Sequence, residues 1–216
     1  MHLKRQEVPK SWPVYRKGTK YVVRPSSDLN FGVPLLVVLR DLLKIVQNRK
    51  EARRVIFLKQ ILLNNKIPRD EKNSVLLFDT LSLVPAKKNY RLDLSENGKF
   101  ELKEISESEL NKKAVKIADK KTLKGKKVQL NLQDGRNILS DIKCNVNDSV
   151  LINFKEKKAE KCLQLKENSK AVVFAGKHSG KRGSITNVDN KKKVVELETK
   201  SREKINVLLK QIIVIE

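Results

Sequence analysis

The spacing of apolar positions changes along this chain, and the changes divide it into regions. Over residues 1–33 no period holds, and Pro9, Pro13 and Pro25, with Gly18 and Gly32, deny the segment a long helix. An extended arm is expected there. From Pro34, a residue suited to the first helical position, Leu35, Leu39, Leu42, Leu43 and Val46 recur at helical spacing, while Arg40 and Lys44 share a polar face four apart. Asn48 can cap a second helix, and Glu51 three residues on completes a variant capping box. On that helix Ala52, Val55 and Ile56 face inward. Arg49 and Arg53 form one outward row, and Lys50 and Arg54 the next.

Beyond the second helix the period falls to two. Ile61–Leu63, Val75–Phe78 and Leu81–Val84 read as short strands, with a polar turn at Asn64-Asn65-Lys66. Tyr90–Leu94 and Phe100–Lys103 flank Asn97-Gly98, and Val128–Leu132 and Asn137–Leu139 flank Asp134-Gly135, two hairpin signals. Between them, residues 106–110 are read as one short helical turn. Ser149–Phe154 and Lys161–Leu165 alternate like strands, and five more strand-like stretches follow from Ala171 to Ile215. The pattern predicts an α+β chain, mostly β, in four parts. These are an extended basic arm (1–33), a small α+β domain (34–88), a central β domain (89–165) and a small C-terminal β-barrel (166–216).

Charge narrows the class of function. Among 216 residues, 48 are Lys or Arg and 25 Asp or Glu, a formal charge of +23. The excess is not a tail: residues 1–35, 36–84, 85–165 and 166–216 carry +5, +5, +7 and +6. Like charges at that density repel unless a polyanion neutralises them, and counterion release from phosphates would drive the binding. A membrane surface fits less well, because no long basic amphipathic helix is visible and the longest apolar run, Val33 to Leu39, is far short of the ~20 residues a span needs. The first residues contain no apolar signal segment.

Candidate chemistry adds little. Cys144 and Cys162 lack paired spacing and a nearby His, so they are read as free thiols of a reducing cytoplasm, with no metal. Asn147-Asp148-Ser149 is a chance glycosylation sequon. Gly176-Lys177-His178-Ser179-Gly180-Lys181-Arg182 has three residues between its glycines and Arg after the Lys, so it is not a phosphate-binding P-loop, which needs four and a Ser or Thr. His178 has no carboxylate at a suggestive spacing.

Three segments carry a resemblance to the S-four-e family of ribosomal proteins. His2-Leu3-Lys4-Arg5, then Pro9-Lys10-Ser11-Trp12, then Arg24-Pro25, resemble the family's opening. Asn48-Arg49-Lys50-Glu51-Ala52-Arg53 is similar to the S/T-R-x-x-A-R core of the S-four RNA-binding domain. Phe78-Asp79-Thr80-Leu81 stands where a Gly-Asp-x-Ile turn is usual, and Asn64-Asn65 replaces Asn-Gly. Residues 173–185 resemble a KOW motif, whose glycines permit positive φ and close approach to RNA, and residues 125–135 resemble the family's central barrel. The lack of a basic C-terminal extension gives an archaeal rather than eukaryotic aspect.

The resemblance implies a structural constituent of the small ribosomal subunit, cytoplasmic, whose partners are small-subunit rRNA and neighbouring ribosomal proteins. It implies that the central domain is β-barrel-like and the last barrel SH3-like, and it implies no catalysis, cofactor or small-molecule substrate. A free translation or assembly factor and an RNA-modifying enzyme fragment are the alternatives. RNA contacts are expected at His2, Lys4, Arg5, Lys10, Trp12, Arg16 and Arg24 of the arm, with His2 and Trp12 stacking on bases. The α+β domain would add Arg40, Lys44, Arg49, Lys50, Arg53, Arg54, Lys59 and Lys66. The KOW-like loop would add Lys177, His178, Lys181 and Arg182.

Overall fold

The computed structural model describes residues 2–140, 142–199 and 202–215. The chain forms two compact units, residues 1–93 with 99–111, and residues 94–98 with 112–216.

In the first unit the N-terminal segment turns back on itself, which corrects the extended arm. β1 (Leu3–Lys4) pairs antiparallel with β2 (Tyr21–Val22), and a 3-10 turn over Arg5–Glu7 begins the return. Leu3 and Trp12 are buried, at 4% and 3% exposure. One indole contributes as much buried area as several small side chains, so a segment without periodic apolar positions still docks. Backbone bonds fix it: Phe100 N–H donates to the Ser11 carbonyl at 2.8 Å, and Ser26 N–H to Lys72 at 2.9 Å.

β3 (Gly32–Pro34) then pairs with β5 (Ser74–Leu76). Pro34, at φ −61° and ψ 140°, is the N-cap and not the first helical residue. Helix α1 (Leu35–Val37) continues as a π-helix over Val38–Leu42, in which the Leu43 amide reaches back to the Val38 carbonyl at 3.0 Å. Leu35 to Leu39 are all buried, so this is a helix enclosed on every side, not one with a single apolar stripe. Its first amides are received by a loop: Leu35 N–H donates to the Asn73 carbonyl at 2.8 Å and Leu36 N–H to Glu71 at 3.0 Å. Lys44, at φ +54°, lies past the helix end, so Arg40 and Lys44 do not share a helical face.

Helix α2 (Arg49–Phe57) starts as its sequence predicts. The Asn48 side chain accepts from the Glu51 amide at 3.0 Å, while the Glu51 carboxylate accepts from the Gln47 amide at 2.7 Å. β4 (Ile61–Leu63), β6 (Thr80–Leu83), β7 (Lys88–Leu94) and β8 (Phe100–Glu104) form a sheet in that order. Asn64 and Asn65 make the tight turn at φ +50° and +60°. Phe78 takes φ +61°, the left-handed conformation that a Gly at this position would take without strain.

The second unit holds two antiparallel five-stranded sheets. β9 (Lys112–Thr122), β10 (Val128–Leu132), β11 (Asn137–Leu139), β12 (Ser149–Asn153) and β13 (Lys158–Leu163) run in the order β11-β10-β9-β12-β13. β9, the central strand and 11 residues long, escapes the sequence reading because lysines interrupt its apolar alternation. Val115 and Ile117 point into a core with Leu130, Leu132, Val150 and Ile152. β14 (Lys170–Val173), β15 (Arg182–Asp189), β16 (Val194–Thr199), β17 (Lys204–Leu208) and β18 (Ile212–Val214) follow in the order β17-β16-β15-β14-β18, over a core that includes Ile185, Val195, Leu197 and Ile212. Within this unit Lys116 of β9 is buried and donates to the carbonyls of Leu209 and Ile212, the latter at 2.8 Å. Ser149 Oγ accepts from the Val214 amide at 2.9 Å.

Candidate nucleic-acid interface

Helix α2 carries the densest cationic group, and its two rows have different fates. Glu71 is fully buried, and it receives both arginines of one row: Arg49 at 2.5 Å and Arg53 at 3.0 Å. Burial alone would raise the Glu71 carboxyl, but hydrogen bonds from Arg53 and Arg49 hold it below the usual carboxylate range. The same residue's carbonyl accepts from Leu36, so one acidic residue ties α2 to the start of α1. Arg49 and Arg53 remain about half exposed, at 49% and 58%. They are therefore not a purely solvated row. Lys50 and Arg54, four apart on the next row, are exposed and have no acidic partner among the described residues. The clamp lowers the repulsion among the four cations and fixes the helix that presents the outer pair.

Sequence reasoning misses Glu71 because it lies in the run Arg69-Asp70-Glu71-Lys72, which reads as solvated charge. The only available signal is the i, i+4 repeat of Arg49 and Arg53, a spacing at which two guanidinia reach one carboxylate.

Elsewhere in the first unit the expected contacts divide. Lys4, Lys10, Arg16, Arg24, Lys44, Lys59 and Lys66 are exposed. His2 is exposed too, its ring 5.3 Å from that of Tyr21. Trp12 is not a surface ring: it is buried, with Nε1 donating to the Leu29 carbonyl at 3.3 Å. Arg5 is engaged internally, donating to the carbonyls of Tyr15 at 2.5 Å and Thr19 at 2.6 Å. Arg40 is half-buried and bound through two hydrogen bonds of 2.9 Å to Asp41.

In the second unit the loop over residues 174–181 joins β14 to β15. Lys177 is exposed and His178 half-buried, while Lys181 pairs with Glu203 at 3.2 Å and Arg182 begins β15 half-buried. The glycines here serve the fold. Gly176 and Gly180 lie at φ +90° and +91°, and a Cβ on Gly180 would run into the Ser95 carbonyl. A Cβ on Gly183 would run into the Glu198 carbonyl. Cys144 and Cys162 are free thiols, and burial together with neighbouring Cys144 pushes the Cys162 thiol well up, away from nucleophilic chemistry. Among the described residues, no group of three or more His, Cys, Asp or Glu stands close enough to hold a metal ion, and no helix is long and apolar enough to cross a membrane.

Two family profiles match this chain: "Ribosomal family S4e" over residues 86–159 and "RS4NT (NUC023) domain" over residues 1–27. The chain is 35% identical over 190 residues to small ribosomal subunit protein eS4 of Methanocella arvoryzae, covering 87% of this chain and 80% of that one. It is 36% identical over 187 residues to the same protein of Archaeoglobus fulgidus, covering 86% and 79%. Its fold is similar to the crystal structure of 30S ribosomal protein S4e from Thermoplasma acidophilum, with a TM-score of 0.73, 24% identity, and coverage of 85% of this chain and 94% of that one.

Proposed function

The chain belongs to the eS4 family of small ribosomal subunit proteins, and from that premise we propose that it anchors small-subunit rRNA through the cationic face of α2. It is a structural constituent of the subunit, not an enzyme. The observation that carries the rRNA assignment is the division of labour on α2. Arg49 and Arg53 hold the helix through Glu71, while Lys50 and Arg54 stand exposed beside them with no acidic partner among the described residues. Cations rigidly presented on a helix suit phosphate contacts, and a guanidinium adds bidentate geometry that an ammonium lacks.

The exposed cations Lys4, Lys10, Arg16, Arg24, Lys44, Lys59, Lys66 and Lys177 extend the same reading along the chain. Arg5, Trp12 and Arg40 act by holding their segments in shape. The four-part organisation (1–33, 34–88, 89–165 and 166–216), closure of the last two parts into barrels, contacts with neighbouring ribosomal proteins and a cytoplasmic location belong to this proposal. Sedimentation tests it. The protein should stay on salt-washed small subunits at close to one copy each. A free factor would wash off, and that outcome would overturn the assignment.

A further inference from the structure

The folded N-terminal segment encloses a cavity of about 640 Å³, within the range of small-ligand sites. Arg5, Lys10, Trp12, Tyr15, Arg16 and Lys99 line it, and none of its lining residues is acidic. At its wall Tyr15 is 89% exposed, more than any other large hydrophobic side chain described as exposed in this chain. Tyr15 is not on a loose tail. Arg5 donates to its carbonyl at 2.5 Å and to the Thr19 carbonyl and hydroxyl at 2.6 Å and 2.9 Å, so the guanidinium closes the loop that carries the ring. Gly18 completes the fit, because a Cβ there would lie 3.0 Å from the Arg5 guanidinium.

We propose that this cavity receives a single unpaired RNA nucleotide, its base stacked on Tyr15 and its phosphate held by Lys10, Arg16 and Lys99. The proposal rests on the reading of the chain as an rRNA-binding protein and names what this part of it takes. An exposed, backbone-anchored ring beside cations offers two things at once, a π-face and charge. An extruded nucleotide uses both. A base-paired one hides its faces in the stack. An acidic peptide would use the cations and leave the ring idle.

Trp12 is the chain's single tryptophan and lines the cavity, so its fluorescence reports occupancy directly. The full-length protein should be titrated with a short single-stranded RNA, with duplex RNA matched in phosphate concentration, and with an acidic peptide of equal charge. The single strand is expected to change Trp12 emission saturably. Tyr15→Leu should weaken that binding about tenfold, a typical loss for one stacked base, and Lys10→Ala by a similar factor, whereas Tyr15→Phe keeps the ring and should stay within about threefold. Because the Tyr15 side chain is exposed, the variants should melt with the parent protein; should Tyr15→Leu alone unfold, the Tyr15→Phe and Lys10→Ala pair decides. Equal response to duplex, tighter binding of the peptide, or undiminished affinity of folded Tyr15→Leu would overturn the proposal. Binding of the same preparations to small-subunit rRNA separates the two readings. Strong rRNA binding with no Tyr15 effect removes only the cavity, while loss of rRNA binding by the parent protein removes the reading beneath it.

Discussion

Arg53 and Arg54 are neighbours of the same type, yet they belong to different interactions. Arg53 balances a carboxylate that has no exposure, so Arg53→Ala leaves Glu71 buried with Arg49 as its remaining arginine partner. That should lower the midpoint of urea unfolding, by less than loss of a fully buried pair would because the guanidinium is half in water. Arg54→Ala should leave stability unchanged and weaken rRNA binding about tenfold or more. If Arg54→Ala destabilises as much as Arg53→Ala, the clamp does not separate the rows. Because the Glu71 carboxyl is held below its ordinary value of 4.5, its contribution is present above that pH and is lost as pH falls through the folded value. Lys116 changes stability in the same direction with pH, but in an alkaline window. Burial pushes its ammonium from 10.5 down to about 8, and the neutral amine can still donate to both the Leu209 and Ile212 carbonyls. Between those pH values the unfolded chain binds a proton that the folded chain lacks, so stability rises with pH across the window, by at most about 3 kcal/mol from this group. Unfolding free energies of the parent and Lys116→Met, measured from pH 8 to 10.5, should diverge in the parent's favour. Parallel curves would show that Lys116 titrates as an ordinary lysine.

At the scale of elements, the N-terminal segment makes the clearest test. Its β pairing, the buried Trp12 and the bonds to Phe100 and Lys72 predict that residues 1–30 of the free protein resist limited proteolysis about as well as the sheet it packs on. Rapid cleavage there without RNA would show that the segment folds only on its partner. The same elements show what can be read in advance. Helix α2 was legible because Asn48 and Glu51 are an explicit start signal, and both hairpins were legible because Gly98 and Gly135 supply the positive φ, +70° and +84°, that their turns require. The N-terminal fold was not, because two buried apolar side chains spaced nine apart, Leu3 and Trp12, make no period. Nor was β9, in which Lys113 and Lys116 are buried beside Val115 and Ile117; long methylene stems let lysine line a core that composition alone assigns to solvent. The α2 face was half legible: its cations are plain in the sequence, but the buried carboxylate that sorts them lies 18 residues beyond Arg53.

For the whole molecule, the even spread of charge, +5 to +7 in each quarter, predicts a collective electrostatic signature. The slope of log K for small-subunit rRNA against log salt should be near −5 or steeper if roughly six or more phosphates are neutralised. A slope shallower than −2 would mean that charge is not what binds the RNA. Many internal pairs, among them Lys181 with Glu203 and Arg40 with Asp41, withdraw cations from that total, so the slope should fall well short of one unit per basic residue.

The bond from Phe100 to Ser11 sets an order of events while the chain is being made. The segment holding Ser11 emerges before Phe100, which is synthesised almost 90 residues later, roughly 5–20 s at ordinary elongation rates. Throughout that interval the nascent segment stays basic, with the Ser11 carbonyl still without its Phe100 donor. A basic segment made that far ahead of its own sheet is open to polyanions during translation in a way that the folded protein is not.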